Sequence, residues 1–106
     1  MAISKENNLI KFKITSKKTI KLDSSIFIIA EIGINHEGNI EIADKMVDSA
    51  FKSGADAVKF QIVNPIESYD LDTNSYNMYK KSCLTYENYY FLKKKYKDKG
   101  FLFATP

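Results

Sequence analysis

AEIGINHEGN, residues 30–39, lies where an apolar run gives way to a polar turn containing two glycines. Upstream, IFIIAE (26–31) is almost continuously apolar and rich in β-branched residues, the pattern of a strand buried on both faces. Downstream, Asn39 is placed to cap a helix, and Glu41 falls in its first turn, where the macrodipole favours negative charge. That helix is expected over about residues 40–53. Ile42, Ala43, Met46, Val47, Ala50 and Phe51 fall on one face, and Gly54 supplies a left-handed C-cap.

The same alternation of elements continues. DAVKFQI (56–62) reads as a second strand, followed by a polar, tyrosine-containing loop over 63–82 with a helical turn near its end. Thr85 caps a second helix, with Leu84 and Tyr89 at the spacing of a hydrophobic staple. A reciprocal capping box is not expected, because position 88 is Asn and not Glu or Gln. The helix runs to Gly100, and FLFAT (101–105) is a third strand. Towards the N-terminus, residues 9–14 and 18–22 alternate apolar and polar around Ser16 and Lys17, as in a short half-buried hairpin, and Asp23-Ser24-Ser25 breaks the pattern.

The order is therefore a hairpin over 1–25, then β-α-β-α-β over 26–106. Strand-helix-strand units in succession indicate an α/β fold with a parallel sheet and right-handed crossovers. Parallel sheets need both faces covered. Two helices shield only one face of three strands, and both sheet edges stay open. The pattern thus expects further strands, as in the first part of a closed barrel.

Composition sets the outer bounds. Of 106 residues, 44% are hydrophobic, 27% charged and 13% aromatic, which describes a globular chain and not a disordered tail. No apolar run approaches the ~20 residues that cross a bilayer. The first residues lack the apolar core of a signal peptide, so a cytoplasmic protein is expected. Cys83 is the single cysteine, which rules out an internal disulfide, argues against a cysteine-based zinc site and suggests a partly buried small residue beside Leu84. The net charge of +3 owes much to Lys93, Lys94, Lys95, Lys97 and Lys99 at the end of a helix, where they favour the negative dipole end. No aromatic-basic platform accompanies them, and a nucleic-acid role is not indicated.

Polar residues on the strands mark the candidate site. Val58, Phe60 and Ile62 share the face suited to packing under helices, so Lys59 and Gln61 face the other way. A lysine inside a buried strand is costly without an anionic partner, although at a strand end it can instead snorkel to water. Phe27, Ile29 and Glu31 share one face of the first strand, as Phe101, Phe103 and Thr105 do in the third. Glu31, Lys59, Gln61 and Thr105 thus lie at or near the C-terminal ends of parallel strands, where barrel enzymes build their sites. Lys59 could hold a phosphate or carboxylate, with Thr105 donating a hydrogen bond. Glu31 could act as general acid or base, or position a hydroxyl or a metal-bound water. Asn35 and His36 follow in the first loop, where they could bond a polyhydroxylated substrate; His36 could equally be a loop brace.

AEIGINHEGN, GADAVKFQ (54–61) and FLFATP (101–106), in this order, resemble the N-acetylneuraminate (sialic acid) synthase family, which includes legionaminic and pseudaminic acid synthases. The resemblance runs from about residue 26 onward, and the NHEGN form is closer to the sialic and legionaminic branches. It implies a TIM (β/α)8 barrel, present here only in its N-terminal part, with the hairpin as a plug at the barrel bottom. It implies condensation of phosphoenolpyruvate with an N-acetylated amino sugar, such as N-acetylmannosamine, to a nine-carbon sialic-type acid and phosphate. By the same resemblance, Lys59 and Thr105 match positions that contact phosphoenolpyruvate, Gln61 a polar residue of the same site, and Glu31 the acidic residue near the reacting centre. A divalent metal, Mn or Mg, is implied, with ligands on later strands and none in this chain. A homodimer and a C-terminal antifreeze-like domain are implied for the full-length protein, and the 106-residue chain alone is expected to be inactive. The competing readings are another phosphoenolpyruvate- or sugar-phosphate-handling barrel, and a non-catalytic remnant acting as an interaction module.

Overall fold

The computed structural model describes residues 2–6, 9–13, 19–21, 26–62 and 64–106, the first three segments as backbone only. These three are strands, β1 (Ala2–Glu6), β2 (Leu9–Lys13) and β3 (Thr19–Lys21). They form an antiparallel sheet in the order β1-β2-β3, with Phe12 opposite both Ile3 and Ile20. The expected hairpin corresponds to β2 and β3, and β1 is an additional strand. The turn at Ser16 and Lys17, the break at 23–25 and the half-burial of this hairpin lie outside the described residues.

The second sheet carries the site. Strands β4 (Ile29–Gly33), β5 (Ala57–Gln61) and β6 (Phe101–Thr105) pair in parallel, in the order β4-β5-β6. Helix α1 (Ile40–Lys52) joins the first two; α2 (Pro65–Ser68), α3 (Asn74–Lys81) and α4 (Tyr86–Lys95) lie between the second and third. Each helix starts where a side chain can accept from the free N–H groups of the first turn. Asn39 accepts from Glu41 and Ile42, Asn64 from Ile66, and Thr73 from Tyr76. Helix α1 is followed by Gly54 at φ +98, a conformation in which other residues are strained.

Four expectations about the helices and Cys83 need correction. The segment 63–82 holds two short helices, α2 and α3, and not one helical turn. At Thr85 a reciprocal capping box does form, because the shorter Asn88 side chain still accepts from the Thr85 N–H at 3.1 Å while Thr85 Oγ1 accepts from Asn88 N at 3.1 Å. Helix α4 stops at Lys95, capped by Tyr96, well before Gly100. Cys83 is exposed, its Sγ donating to the Tyr79 carbonyl at 3.0 Å, because its neighbour Leu84 takes the buried position.

One core lies between the helices and one face of the sheet. Val58, Phe60, Ala43, Val47 and Leu92 are fully buried, with Ile32, Leu84 and Tyr96 around them. Burial of the valine, leucine, isoleucine and phenylalanine side chains contributes about 1.5–3 kcal/mol each. Ile42, expected on this face, turns out at its edge and is exposed. Helices α1 and α4 are tied by Asp44, which accepts from Lys95 Nζ at 2.7 Å and from the Tyr96 hydroxyl. Burial pushes the Asp44 carboxyl up, but the Lys95 and Tyr96 bonds outweigh it and hold it below the ordinary value. Burial, and then the bond to Asp44, push the Tyr96 phenol strongly up.

The other face of the sheet is not covered by any described element. Strand β4 begins at Ile29 and not Ile26, and it is not buried on both faces. Ile26, Ile28 and Ile29 are 86%, 53% and 49% exposed. The apolar run that reads as a doubly covered strand therefore has a helix layer on one side only.

Candidate functional site

Because β4, β5 and β6 are parallel, their C-terminal ends share one edge of the sheet. Alternation does the rest. Val58 and Phe60 point into the helix-side core, and Lys59 and Gln61 onto the helix-free face, where both are half-buried. The register sets Glu31 and Phe103 on either side of Lys59, and Thr105 beside Gln61. Lys59 Nζ lies 3.1 Å from Glu31 Oε2, with the two side chains 34% and 54% exposed. The pair is open enough to be screened, so its own contribution to stability is about 0.2–1 kcal/mol. Its chemical value is that a cation and a carboxylate are held side by side on a surface a ligand can reach.

Past Glu31 the strand departs from regular pairing. Glu31 faces Lys59 but Gly33 faces Phe60, so the pairing shifts at Ile32 as in a β-bulge. Gly33 takes φ +61, and Ile32 is buried. The β4–α1 loop then folds through successive turns, with Asn35, Glu37 and Asn39 N–H groups donating to the carbonyls of Ile32, Ile34 and His36. Asn35 is exposed, and its Nδ2 donates to the Ile32 carbonyl at 2.8 Å.

His36 goes the other way. Its side chain is fully buried, its ring is 5.8 Å from that of Phe60, and its Nδ1 accepts from Gly38 N at 3.0 Å. An accepting Nδ1 requires the neutral imidazole. Burial lowers its pKa, with a backbone bond at Gly33 partly opposing. The structure thus gathers Glu31, Lys59, Gln61 and Thr105 on one face, leaves Asn35 in the loop beyond β4, and sets His36 behind the sheet against Phe60.

A cleft that strand parity does not reveal opens beside Gln61. It has a volume of about 380 Å³ and lies between the end of β5, the β4–α1 loop and the α3–α4 junction, with Ile34, Ile62, Tyr79, Leu84, Tyr86 and Glu87 among its walls. The β4–α1 loop also approaches the end of α3 closely: Gly38, at φ +75, packs so tightly on the Lys81 carbonyl that an added Cβ would collide with it. The tyrosines of 69–90 and the Gly in NHEGN are the sequence signals for this cleft, but neither locates it without the fold.

No group of three His, Cys, Asp or Glu side chains capable of holding a metal occurs among the described residues. His36 Nδ1 is already occupied by Gly38. The residues present therefore do not fit a divalent-metal site. No described helix is long and apolar enough to cross a membrane.

Comparison with known proteins places these features in a lineage. No family model matches the sequence. The chain is 37% identical over 94 residues to N,N'-diacetyllegionaminic acid synthase of Legionella pneumophila, a match that takes in 76% of this chain and 26% of that protein. It is 44% identical over 61 residues to the spore coat polysaccharide biosynthesis protein SpsE of Bacillus subtilis, covering 58% of this chain and 16% of SpsE. Its fold superposes on the crystal structure of N-acetylneuraminic acid (sialic acid) synthetase from Leptospira borgpetersenii, solved with citrate, with a TM-score of 0.75 and 29% identity over 90% of this chain and 33% of that one. The chain belongs to the N-acetylneuraminate synthase family. Like the Leptospira synthetase on which it superposes, it is an α/β protein whose parallel strands are joined by helices, and it spans about 16–26% of the length of the two curated relatives.

Proposed function

We propose that the protein containing this chain condenses phosphoenolpyruvate with an N-acylated amino sugar aldehyde, such as N-acetylmannosamine, giving a nine-carbon sialic-type acid and phosphate. In this reading β4, β5 and β6 are the first strands of a TIM (β/α)8 barrel, the N-terminal strands plug its bottom, and the helix-free face is the barrel interior. The observation that carries it is the Glu31–Lys59 pair on that face, with Gln61 and Thr105 one step nearer the C-terminal edge. Support comes from the names of several relatives, which are sialic-type acid synthases.

The chemistry asks for an anion holder and a proton-handling group close together. C3 of phosphoenolpyruvate bonds to the aldehyde carbon, whose oxygen gains a proton; water adds its oxygen at C2, and the C2–O bond to phosphate breaks. Lys59 holds the carboxylate or phosphate of phosphoenolpyruvate as a point charge, and Thr105 donates to the same anion. Glu31, 3.1 Å from Lys59, handles the proton of the attacking water or of the new hydroxyl. Gln61 and Asn35 bond the polyhydroxylated acceptor, and His36 acts from behind by holding the loop that carries Asn35. The divalent metal of this family, Mn or Mg, would polarise the aldehyde; because the residues present do not fit it, no role here is routed through it.

The test is phosphate release and product formation by the full-length protein given phosphoenolpyruvate, N-acetylmannosamine and Mn or Mg. Acid product formed in step with phosphate is expected from the whole protein, and none from residues 1–106 alone. Phosphoenolpyruvate left intact with every N-acylated amino sugar would overturn the reading.

A further inference from the structure

We infer that Glu31 is the resident counter-ion of Lys59, an internal competitor that the anion of phosphoenolpyruvate displaces before the carboxylate can handle a proton. This rests on the condensation proposed above and adds a sequence of events to its site. Lys59 Nζ lies 3.1 Å from Glu31 Oε2. Its neighbours across the strands are Glu31 and Phe103, and Ala57 and Gln61 flank it on the same face along β5. Of these, Glu31 supplies the opposite charge. A lysine on the inner face of a sheet is costly without such a charge, and the resident carboxylate meets that need until a substrate anion takes it over.

The geometry makes the exchange workable. The pair is open, Glu31 being its more exposed member, so the hold of the carboxylate on Lys59 is screened. A phosphate carries more negative charge than a carboxylate. Thr105 and Gln61, one step nearer the C-terminal edge, offer it further donors. Glu31 also has room to move. Strand β4 leaves register at Ile32, and Gly33 follows without a side chain; a Cβ there would sit 3.5 Å from Glu31 Oε1. The carboxylate thus rests against space that any larger residue would share. Like charge drives it off Lys59 once the anion has bound, and Gly33 begins the loop that carries Asn35, the residue assigned to the acceptor.

Calorimetric titration of the full-length protein with phosphoenolpyruvate, without acceptor and at one fixed Mn or Mg concentration, tests the exchange. Glu31→Gln keeps the shape of the side chain and removes the competing charge. Releasing a pair of this exposure should lower the Kd about two- to fivefold. In the complete assay kcat should fall about 100-fold or more, because the proton-handling carboxylate is gone. In the Lys59→Met background the same substitution should bring no gain in affinity, since no ammonium is left to compete for. Thermal melts check that each variant is folded. A Kd that is unchanged or higher in Glu31→Gln would overturn the inference and leave the condensation standing. So would an equal gain in both backgrounds, which is the mark of charge repulsion without exchange. Absence of phosphoenolpyruvate binding by the unaltered protein overturns the condensation, and the inference with it.

Discussion

Replacing Lys59 by Met in the full-length protein separates anion binding from structure. The substitution removes the ammonium and keeps an unbranched apolar stem of similar reach. On the stability side it deletes an ion pair whose members are 34% and 54% exposed, worth about 0.2–1 kcal/mol after screening. For a domain of 150–250 residues that is at most a fall of about 2–4 °C in Tm. On the binding side it deletes the charge-assisted bond to phosphoenolpyruvate proposed for Lys59, worth about 1.5–3 kcal/mol. At about 1.4 kcal/mol per decade, that is roughly a 10- to 150-fold rise in the phosphoenolpyruvate KM. The two sides differ enough to be told apart by phosphate release against phosphoenolpyruvate concentration at saturating acceptor, alongside a thermal melt. An unchanged KM in a normally melting variant would refute the anion-holding role. A large loss of Tm with unchanged KM would make Lys59 a structural residue.

Three further outcomes follow from the packing. Phe60→Ala removes a fully buried ring set edge-on to Tyr89 at 5.5 Å and near His36, and should cost about 3–5 kcal/mol in urea unfolding of the full-length protein. Thr85→Ala and Asn88→Ala should each cost about 1 kcal/mol, and the double variant less than the sum, because each side chain serves the other's backbone in one capping box. His36 has a folded pKa below its ordinary value, so between the two values the unfolded chain binds more protons. Its contribution is complete above the ordinary histidine range and is lost as pH falls through the folded value; melts at decreasing pH below ~6.5 should show a decline that His36→Gln flattens.

The sequence makes legible what is dictated locally. Asn39 and Gly54 bound α1 because a cap side chain and a positive φ are requirements of single residues. The alternation in DAVKFQI places Lys59 opposite to Val58 and Phe60 whatever surrounds it. Missed features depend on context. Helices α2 and α3 have no buried residue, so no apolar stripe announces them, although Asn64-Pro65 and Thr73 are start signals in retrospect. The apolar look of 26–31 misplaces the start of β4 because periodicity does not say which neighbours cover a face. The cleft beside Gln61 arises where three segments distant in sequence meet, and the burial of His36 depends on Phe60, which is 24 positions later.

The neighbour order of the parallel sheet also bears on how the chain is made. Strands β4, β5 and β6 lie side by side in the order of their synthesis, so each docks on an edge already present. A ribosome delivering about 5–20 residues per second would extend this sheet stepwise, each new strand finding one neighbour already made. At every stage, however, the newest edge and the helix-free face carrying Ile29 remain in contact with water. These are surfaces that chaperones bind and that mispair between nascent chains, and mRNA features that slow translation after β6 would lengthen their exposure.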